Sequence, residues 1–158
     1  MDMCVILCRL LFVGNWHQIY IGTMDGSYWR QVHTAGWSFL TELSSLVYDT
    51  NTANLYYADR ASKKIMKWNT QTRKVTVVSS LSYEVFSMAM CSSNLMWVDF
   101  KTKSIHMFDI NTSNATRNEI VATGVDASVG IVASCAGNYP VGKYIELRRE
   151  RLIHSFFL

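Results

Sequence analysis

One twelve-residue segment occurs twice in this chain, and it limits the fold more strongly than any other feature. The segment NLYYADRASKKI spans 54–65, and NLMWVDFKTKSI spans 94–105. Five of the twelve positions are identical at a fixed offset of forty residues, namely Asn54/Asn94, Leu55/Leu95, Asp59/Asp99, Lys63/Lys103 and Ile65/Ile105. A repeat of about 40 residues is typical of β-propeller blades or of paired helices. The spacing of the apolar residues therefore has to decide between these two.

The apolar pattern inside the repeat predicts strands. Each copy opens with a short apolar run, Leu55–Ala58 or Leu95–Val98, which ends at an aspartate. Such runs are typical of strands that are buried on both faces. A polar turn and two more runs follow each copy, and a further run precedes it; around the first copy these runs are IMKW, KVTVV and SLVYD. Four strands per unit and no helix indicate the blade of a β-propeller.

The aspartate that ends the first run has an expected structural role. The carboxylate of Asp59 or Asp99 accepts hydrogen bonds from backbone N–H groups two residues on, which holds the bend of a turn. Because the residue recurs in each unit, a role in the architecture is favoured over a pair of catalytic acids. A further aspartate, Asp49, precedes the first copy. The residue forty positions later, ahead of the second copy, is Ala89.

Fainter copies extend the repeat on both sides. The stretch LLFVGNWHQIYIGTMDGS (10–27), followed by YWRQV, indicates an earlier blade, and DASVGIVAS (126–134) indicates the opening strand of a fourth. We therefore expect three blades and the start of a fourth over 10–134. An uncertain N-terminal segment covers 1–9, and an unmatched tail covers 135–158. Within this tail, YIELRRERLIH is predicted as a helix.

At these residues the chain resembles the YWTD propeller of the low-density lipoprotein receptor family, whose repeats are called class B. The hallmark strand of that family reads Leu-Tyr-Trp-Thr-Asp and is similar to LYYAD (55–59) and LMWVD (95–99) here. A basic, polar turn and an Ile-led strand follow in both, as in the family. No unit spells the full motif, and Asn15 replaces the hallmark aspartate in the first blade. The positions that match this blade motif are Leu55, Tyr57, Asp59, Ile65, Leu95, Trp97, Asp99 and Ile105.

The resemblance implies a fold and a function. The fold is all-β, a partial β-propeller of four-stranded antiparallel blades in an incomplete ring, because the family's propeller has six blades. The function is that of a non-catalytic fragment of an extracellular receptor ectodomain, beside EGF-like modules, which binds protein ligands of the lipoprotein or signalling class and takes part in endocytosis. Neither a cofactor nor a metal is expected, and a membrane would be reached only through other parts of the receptor. Three blades leave two apolar blade faces uncovered, so we expect the chain to belong to a longer product and to need the missing blades.

Charge and hydropathy exclude some functions. The net charge of +3 is weak and scattered along the chain, which argues against nucleic acid as a partner. No apolar run reaches the about 18 residues that a membrane helix needs, and CVILCRLLFV (4–13) is interrupted by Arg9. The four cysteines, Cys4, Cys8, Cys91 and Cys135, permit disulfides without requiring them.

An enzyme is the alternative function. Six-bladed propellers of the lactonase or strictosidine-synthase type place metal ligands or a catalytic acid at the centre of the ring, and the loose candidates here are Glu42, Glu84 and Asp126. The four histidines show no metal-ligand spacing, and no GxSxG motif indicates a nucleophile. An intracellular WD-type scaffold is disfavoured because the chain has no Gly-His and no Trp-Asp dipeptide.

The segment INTSNAT (110–116) contains two acceptor triplets for N-glycosylation, at Asn111 and Asn114. It lies in a predicted polar loop, where a glycan is tolerated, and crowding disfavours occupancy of both sites. The family's ligand contacts lie on loops that do not match this sequence, so no ligand-binding residue is carried over.

Overall fold

The structure, a computed structural model, contains only β-strands in the part of the chain that it describes. The described residues are 3–7, 10–15, 17–23, 25–34, 42–99, 101–112, 119–125, 130–134, 144–149 and 152–157. The chain forms two compact units, Met1–Glu84 and Val85–Leu158.

The first unit contains two four-stranded antiparallel sheets in which the strands follow one another in chain order. The first sheet consists of β1 (Met3–Leu7), β2 (Leu10–Asn15), β3 (Gln18–Thr23) and β4 (Trp29–Thr34). The second sheet consists of β5 (Leu43–Asp49), β6 (Asn54–Asp59), β7 (Lys64–Asn69) and β8 (Val75–Ser80). Short connections join the strands, as expected for antiparallel neighbours.

The second unit contains a four-stranded and a three-stranded antiparallel sheet. The four-stranded sheet consists of β9 (Val85–Cys91), β10 (Asn94–Asp99), β11 (Ser104–Asp109) and β12 (Glu119–Thr123). The three-stranded sheet consists of β13 (Gly130–Ser134), β14 (Tyr144–Arg149) and β15 (Leu152–Phe157).

The predicted fold class, a partial β-propeller of four-stranded antiparallel blades, is confirmed. The helix predicted for YIELRRERLIH is wrong, because Tyr144–Arg149 and Leu152–Phe157 are strands. Ile145 and Leu147 alternate with polar residues, a period that suits a strand, and β14 pairs with β13 from Tyr144 to Arg148. The segment has strong helix formers, but a helix this short is marginal by itself, and pairing with a neighbouring strand outweighs it. The domain boundaries drawn from the sequence stay a prediction.

The second strand of each repeated blade is the most deeply buried. Both β6 and β10 are buried at five consecutive positions, as the unbroken apolar runs predict. Full burial of one large apolar side chain contributes about 1.5–3 kcal/mol, so these two strands anchor their sheets. The core cluster of the first unit contains Phe12, Ile19, Leu43, Leu46, Leu55, Tyr57 and Trp68. That of the second unit contains Ala89, Cys91, Met96, Val98, Ile105, Val125 and Ile131.

The last strand of each four-stranded sheet, which is β4, β8 or β12, contains the same type of β-bulge. In the first sheet, Ile19 pairs with His33 and Tyr20 with Gln31, so that Val32 is the extra residue. The same irregularity leaves Val78 extra in the second sheet and Val121 extra in the third. A bulge at an edge strand bends it and disrupts the ladder that another chain would extend.

One alignment drawn from the sequence is wrong. Asp49 pairs with Asn54, whereas the residue that pairs with the equivalent Asn94 is Cys91. The structural counterpart of Asp49 is therefore Cys91 and not Ala89. The reason is loop length: four residues separate β5 from β6, but only two separate β9 from β10.

Candidate binding surfaces

The two hallmark aspartates hold turns. Asp99 Oδ1 accepts hydrogen bonds from the backbone N–H groups of Lys101 (2.8 Å) and Thr102 (3.3 Å), and its Oδ2 accepts one from the Thr102 hydroxyl (2.5 Å). Asp59 accepts equivalent bonds from the backbone N–H (3.4 Å) and the hydroxyl (2.5 Å) of Ser62. These contacts are those of an aspartate turn closed by a hydroxyl residue three positions on.

The same turn recurs at other strand ends. Asp49 accepts from the Asn51 N–H (3.0 Å) and from the hydroxyl of Thr52, and the Asn69 amide oxygen accepts from the N–H (2.8 Å) and hydroxyl (3.0 Å) of Thr72. The sequence therefore contains a second signal for these turns: an Asp or Asn that is followed three residues later by Ser or Thr. The family motif does not include this signal.

The other motif positions are buried and belong to the architecture. Tyr57 and Trp97 are 1% and 0% exposed, and each lies opposite a residue of the next strand, Met66 or His106. The apolar members Leu55, Ile65, Leu95 and Ile105 are all fully buried. None of these side chains is accessible to a ligand.

A cluster that has the residue types of a catalytic triad is found in the second unit, but its geometry differs. The Ser104 hydroxyl lies 2.9 Å from His106 Nε2, and Asp99 Oδ2 lies 3.9 Å from the same nitrogen. A nucleophile relay needs the two ring nitrogens to face the serine and the carboxylate separately. Ser104 is also only 1% exposed, and the His106 ring stacks on Trp97 with 5.7 Å between the ring centroids. Burial lowers the pKa of His106, an effect that Asp99 opposes.

Two of the three candidate central acids lie around one arginine. The Arg60 guanidinium is 3.2 Å from the carboxylate of Glu42 and 3.2 Å from that of Glu84. Backbone hydrogen bonds between Arg60 N and Glu42 O (2.9 Å) and between Glu42 N and Asp59 Oδ1 (3.1 Å) hold the cluster beside the β6–β7 turn. Both acids are therefore paired with Arg60, an arginine that belongs to the architecture of the turn. The third candidate, Asp126, lies outside the described residues.

His33 lies in an aromatic environment of the first unit. Its ring stacks on Trp68 with 4.9 Å between the ring centroids, and its Nε2 lies 3.3 Å from the Tyr57 hydroxyl. Burial lowers the pKa of His33. Burial, together with the charge of Asp59, raises the pKa of Tyr57 to about 12.

A groove of about 400 Å³ in the first unit shares Trp68 with this aromatic environment. Its apolar lining comes from β2, β3, β4, β5 and β7, and consists of Phe12, Ile21, Val32, Tyr48 and Trp68. Its polar lining consists of Arg30, Gln31, Thr70 and Arg73. The groove was not predicted from the sequence, because its residues come from two sheets and share no motif.

Other predicted features have the following positions. Asn111 is exposed in the turn after β11, where its N–H donates to Asp109 (3.0 Å), whereas Asn114 lies outside the described residues. No group of three or more metal-ligating side chains occurs within the described ranges. Among the same residues, no helix is long and apolar enough to cross a membrane. Cys91 is disulfide-bonded.

Comparison with solved structures supports the fold. A chain in the crystal structure of a nidogen–laminin complex aligns with a TM-score of 0.73 at 18% identity, over 95% of this chain and 56% of that one. A chain in the mitotic checkpoint complex aligns with a TM-score of 0.67 at 10% identity, over 94% and 43%. The computationally designed Ika4 protein aligns with a TM-score of 0.64 at 8% identity, over 99% and 89%.

These likenesses show a β-propeller fold. The chain spans about half the length of the nidogen–laminin and checkpoint chains that it matches. No family model and no curated protein sequence matches it. Membership of the low-density lipoprotein receptor family therefore stays a prediction that rests on LYYAD and LMWVD.

Proposed function

We propose that this chain is part of a non-catalytic, protein-binding β-propeller domain. One observation carries the proposal: the residues with catalytic potential are engaged in the architecture, while an accessible groove is lined by apolar and basic side chains. Asp59 and Asp99 hold turns, Glu42 and Glu84 pair with Arg60, and the histidines His33 and His106 stack on tryptophans. A groove of mixed apolar and polar lining is typical of a binding site.

The structural likenesses support protein as the class of ligand. Two of the similar chains come from structures described as complexes, one of nidogen with laminin and one of the mitotic checkpoint. Fold likeness alone does not assign a partner, so laminin enters only as the first protein to be tested.

The finer proposal is an extracellular receptor ectodomain of the low-density lipoprotein receptor type, with protein ligands of the lipoprotein or signalling class. It is supported by the two hallmark strands and by Cys91, which is disulfide-bonded. Disulfides persist in secreted and cell-surface proteins and are rare in the cytosol. Under this proposal the EGF-like modules and the endocytic role belong to the larger receptor.

Binding to a panel of purified extracellular proteins tests the function. We expect the immobilised chain to bind a laminin fragment, lipoprotein particles or another panel member saturably, measured by interferometry. An Asp99→Ala variant, in which one hallmark turn is lost, is the control for binding that depends on the folded blade. Failure to bind any panel member, together with hydrolysis of a lactone or ester by the same sample, would favour the propeller-enzyme alternative and contradict the proposal.

Expression through the secretory pathway tests the location. We expect a glycosidase-sensitive mass shift that disappears in an Asn111→Gln/Asn114→Gln double variant, because both residues belong to acceptor triplets and Asn111 is exposed in a turn. An Asn51→Gln variant is the matched control, since Asn51 is also exposed in a turn but has no acceptor triplet. A secreted chain without any shift in the parent would contradict the glycosylation prediction.

A further inference from the structure

The groove in the first unit has a basic rim. Arg30 lies in β4, the outer strand of the first sheet, and Arg73 lies in the turn between β7 and β8 of the second. Both side chains are exposed, and both line the groove. Among the described residues that line the groove, none is Asp or Glu. The groove therefore has two positive charges on its rim.

The two rim arginines differ from Arg60, which lies elsewhere in the same unit. Arg60 forms ion pairs with Glu42 and Glu84, and it braces a turn. Neither Arg30 nor Arg73 forms an ion pair or a side-chain hydrogen bond with any residue in the described ranges. A guanidinium without a protein partner keeps its five donors available for a carboxylate.

The aromatic side chains Phe12, Tyr48 and Trp68 form one part of the groove lining, which we call the floor. Phe12 and Tyr48 stack with 5.1 Å between their ring centroids, and Trp68 is held between the groove and the ring of His33. Such a preformed aromatic floor loses little conformational entropy when a ligand binds. An apolar side chain of a ligand is the group that this floor suits.

We propose that this groove binds a short acidic peptide segment of a partner protein, with a carboxylate paired to Arg30 and Arg73 and an apolar side chain on the aromatic floor. The inference rests on the proposed protein-binding function and names the chemistry of the segment that is recognised. Charge complementarity selects the carboxylate, since the rim has two arginines and, among the described lining residues, no acid. The volume of about 400 Å³ is within the range of sites that hold a few side chains or a drug-sized ligand.

The apolar floor also selects against other anions. A sulfated polysaccharide would satisfy the rim but has no apolar group for the five apolar lining residues. Inorganic phosphate or acetate would leave the floor exposed to water. A peptide that combines Asp or Glu with Leu or Phe satisfies both parts.

Titration of the full chain with synthetic peptides tests the proposal. The probe is a short fluorescent peptide with Asp and Glu on either side of a Phe, and its matched control has Asn and Gln in place of the acids. Binding is measured by fluorescence anisotropy and by proton–nitrogen NMR, in which the indole resonance of Trp68 reports on the floor. We expect the acidic peptide to bind more tightly than its amide counterpart, and we expect added salt to weaken this binding.

Charge-matched variants assign the site. Arg30→Gln and Arg73→Gln are each expected to weaken binding about fivefold to tenfold, as for loss of one partly solvated charged hydrogen bond. Lys74→Gln is the control, because Lys74 is exposed beside Arg73 but does not line the groove. It removes the same charge and is expected to leave affinity unchanged. Circular dichroism of each variant establishes that the fold is retained.

Several results would overturn the inference. If the acidic and amide peptides bind with equal affinity, the rim arginines do not recognise a carboxylate. The same conclusion follows if Lys74→Gln lowers the affinity as much as Arg30→Gln or Arg73→Gln does. Heparin binding that depends on both arginines while the peptide does not bind assigns the groove to a polysaccharide. Phosphate or acetate that shifts the same resonances as strongly as the peptide assigns it to small anions. If the chain binds a panel protein and the arginine variants bind that protein normally, the protein-binding function stands and this groove is not its site.

Discussion

The buried aspartate that ends β10 and holds the following turn is expected to be the most costly turn-stabilising residue to remove in the second unit. Asp99 is 1% exposed and accepts three hydrogen bonds from Lys101 and Thr102. A hydrogen bond to a charged group contributes about 1.5–3 kcal/mol. The two N–H donors lie in an exposed turn, so water replaces part of what the carboxylate provides. We therefore expect Asp99→Ala to lower the free energy of unfolding by about 2–4 kcal/mol, a large part of the about 5–15 kcal/mol of a typical domain.

Urea unfolding of the full chain measures this change. The transition is followed by circular dichroism and by tryptophan fluorescence, since Trp97 stacks on His106 next to the turn. The change in the midpoint, with the slope unchanged, gives the difference in the free energy of unfolding.

Asp109 provides the matched control. It ends the next strand, β11, and is half-buried. Its carboxylate accepts one hydrogen bond, from the backbone N–H of Asn111 (3.0 Å). Asp109→Ala should cost less than about 1 kcal/mol. If the Asp99 and Asp109 variants unfold at the same urea concentration, the hallmark aspartate does not hold its blade through these hydrogen bonds, and the reasoning is refuted.

Three further predictions concern the first unit. A Cβ at Gly22 would lie 2.6 Å from the ring of Trp29, so Gly22→Ala should lower the free energy of unfolding by about 1–3 kcal/mol. This loss should be smaller in a chain in which Trp29 is replaced by Ala, and an unchanged loss in that double-mutant cycle contradicts the contact. Burial lowers the pKa of His33, so the unfolded chain takes up its proton first. The free energy of unfolding should therefore fall as the pH drops below about 6.5 and level off below the folded-state pKa; a His33→Gln variant with the same pH profile as the parent argues against it. Hydrogen bonds from the Thr23 hydroxyl and, to a smaller extent, from the Ser27 backbone N–H lower the pKa of Asp25 to about 2. Thr23→Val should therefore raise the pKa of Asp25 in a carboxyl NMR titration, whereas an unchanged pKa would exclude the Thr23 hydroxyl as the main cause.

The strands of the repeat were readable because their signal is local. Each of β6 and β10 is an apolar run followed by a turn-forming aspartate, and both features act within a few residues of the chain. The bulges at Val32, Val78 and Val121 were not predicted. A bulge is defined by the register between two strands, and a single strand carries no record of its partner's register.

Two predictions failed where tertiary pairing overrides a local pattern. The fixed offset of forty residues made Ala89 the counterpart of Asp49, but the shorter β9–β10 loop shifts the register so that Cys91 takes that place. The segment YIELRRERLIH has strong helix formers, but it forms β14, which pairs with β13, and the start of β15, which pairs with β14. In both cases hydrogen bonds to a neighbouring strand decide the outcome.

The sequence by itself determined that the repeat is all-β, which segments of the two clear copies are the buried strands, and that Asp59 and Asp99 hold turns. These properties follow from apolar periodicity and from side-chain-to-backbone hydrogen bonds within a few residues. Only the tertiary structure decided that Glu42 and Glu84 share Arg60, that Ser104 and Asp99 approach one nitrogen of His106, and that Arg30 and Arg73 border one groove. Each of these groups joins residues from different strands or loops, so its geometry depends on packing that no local pattern encodes.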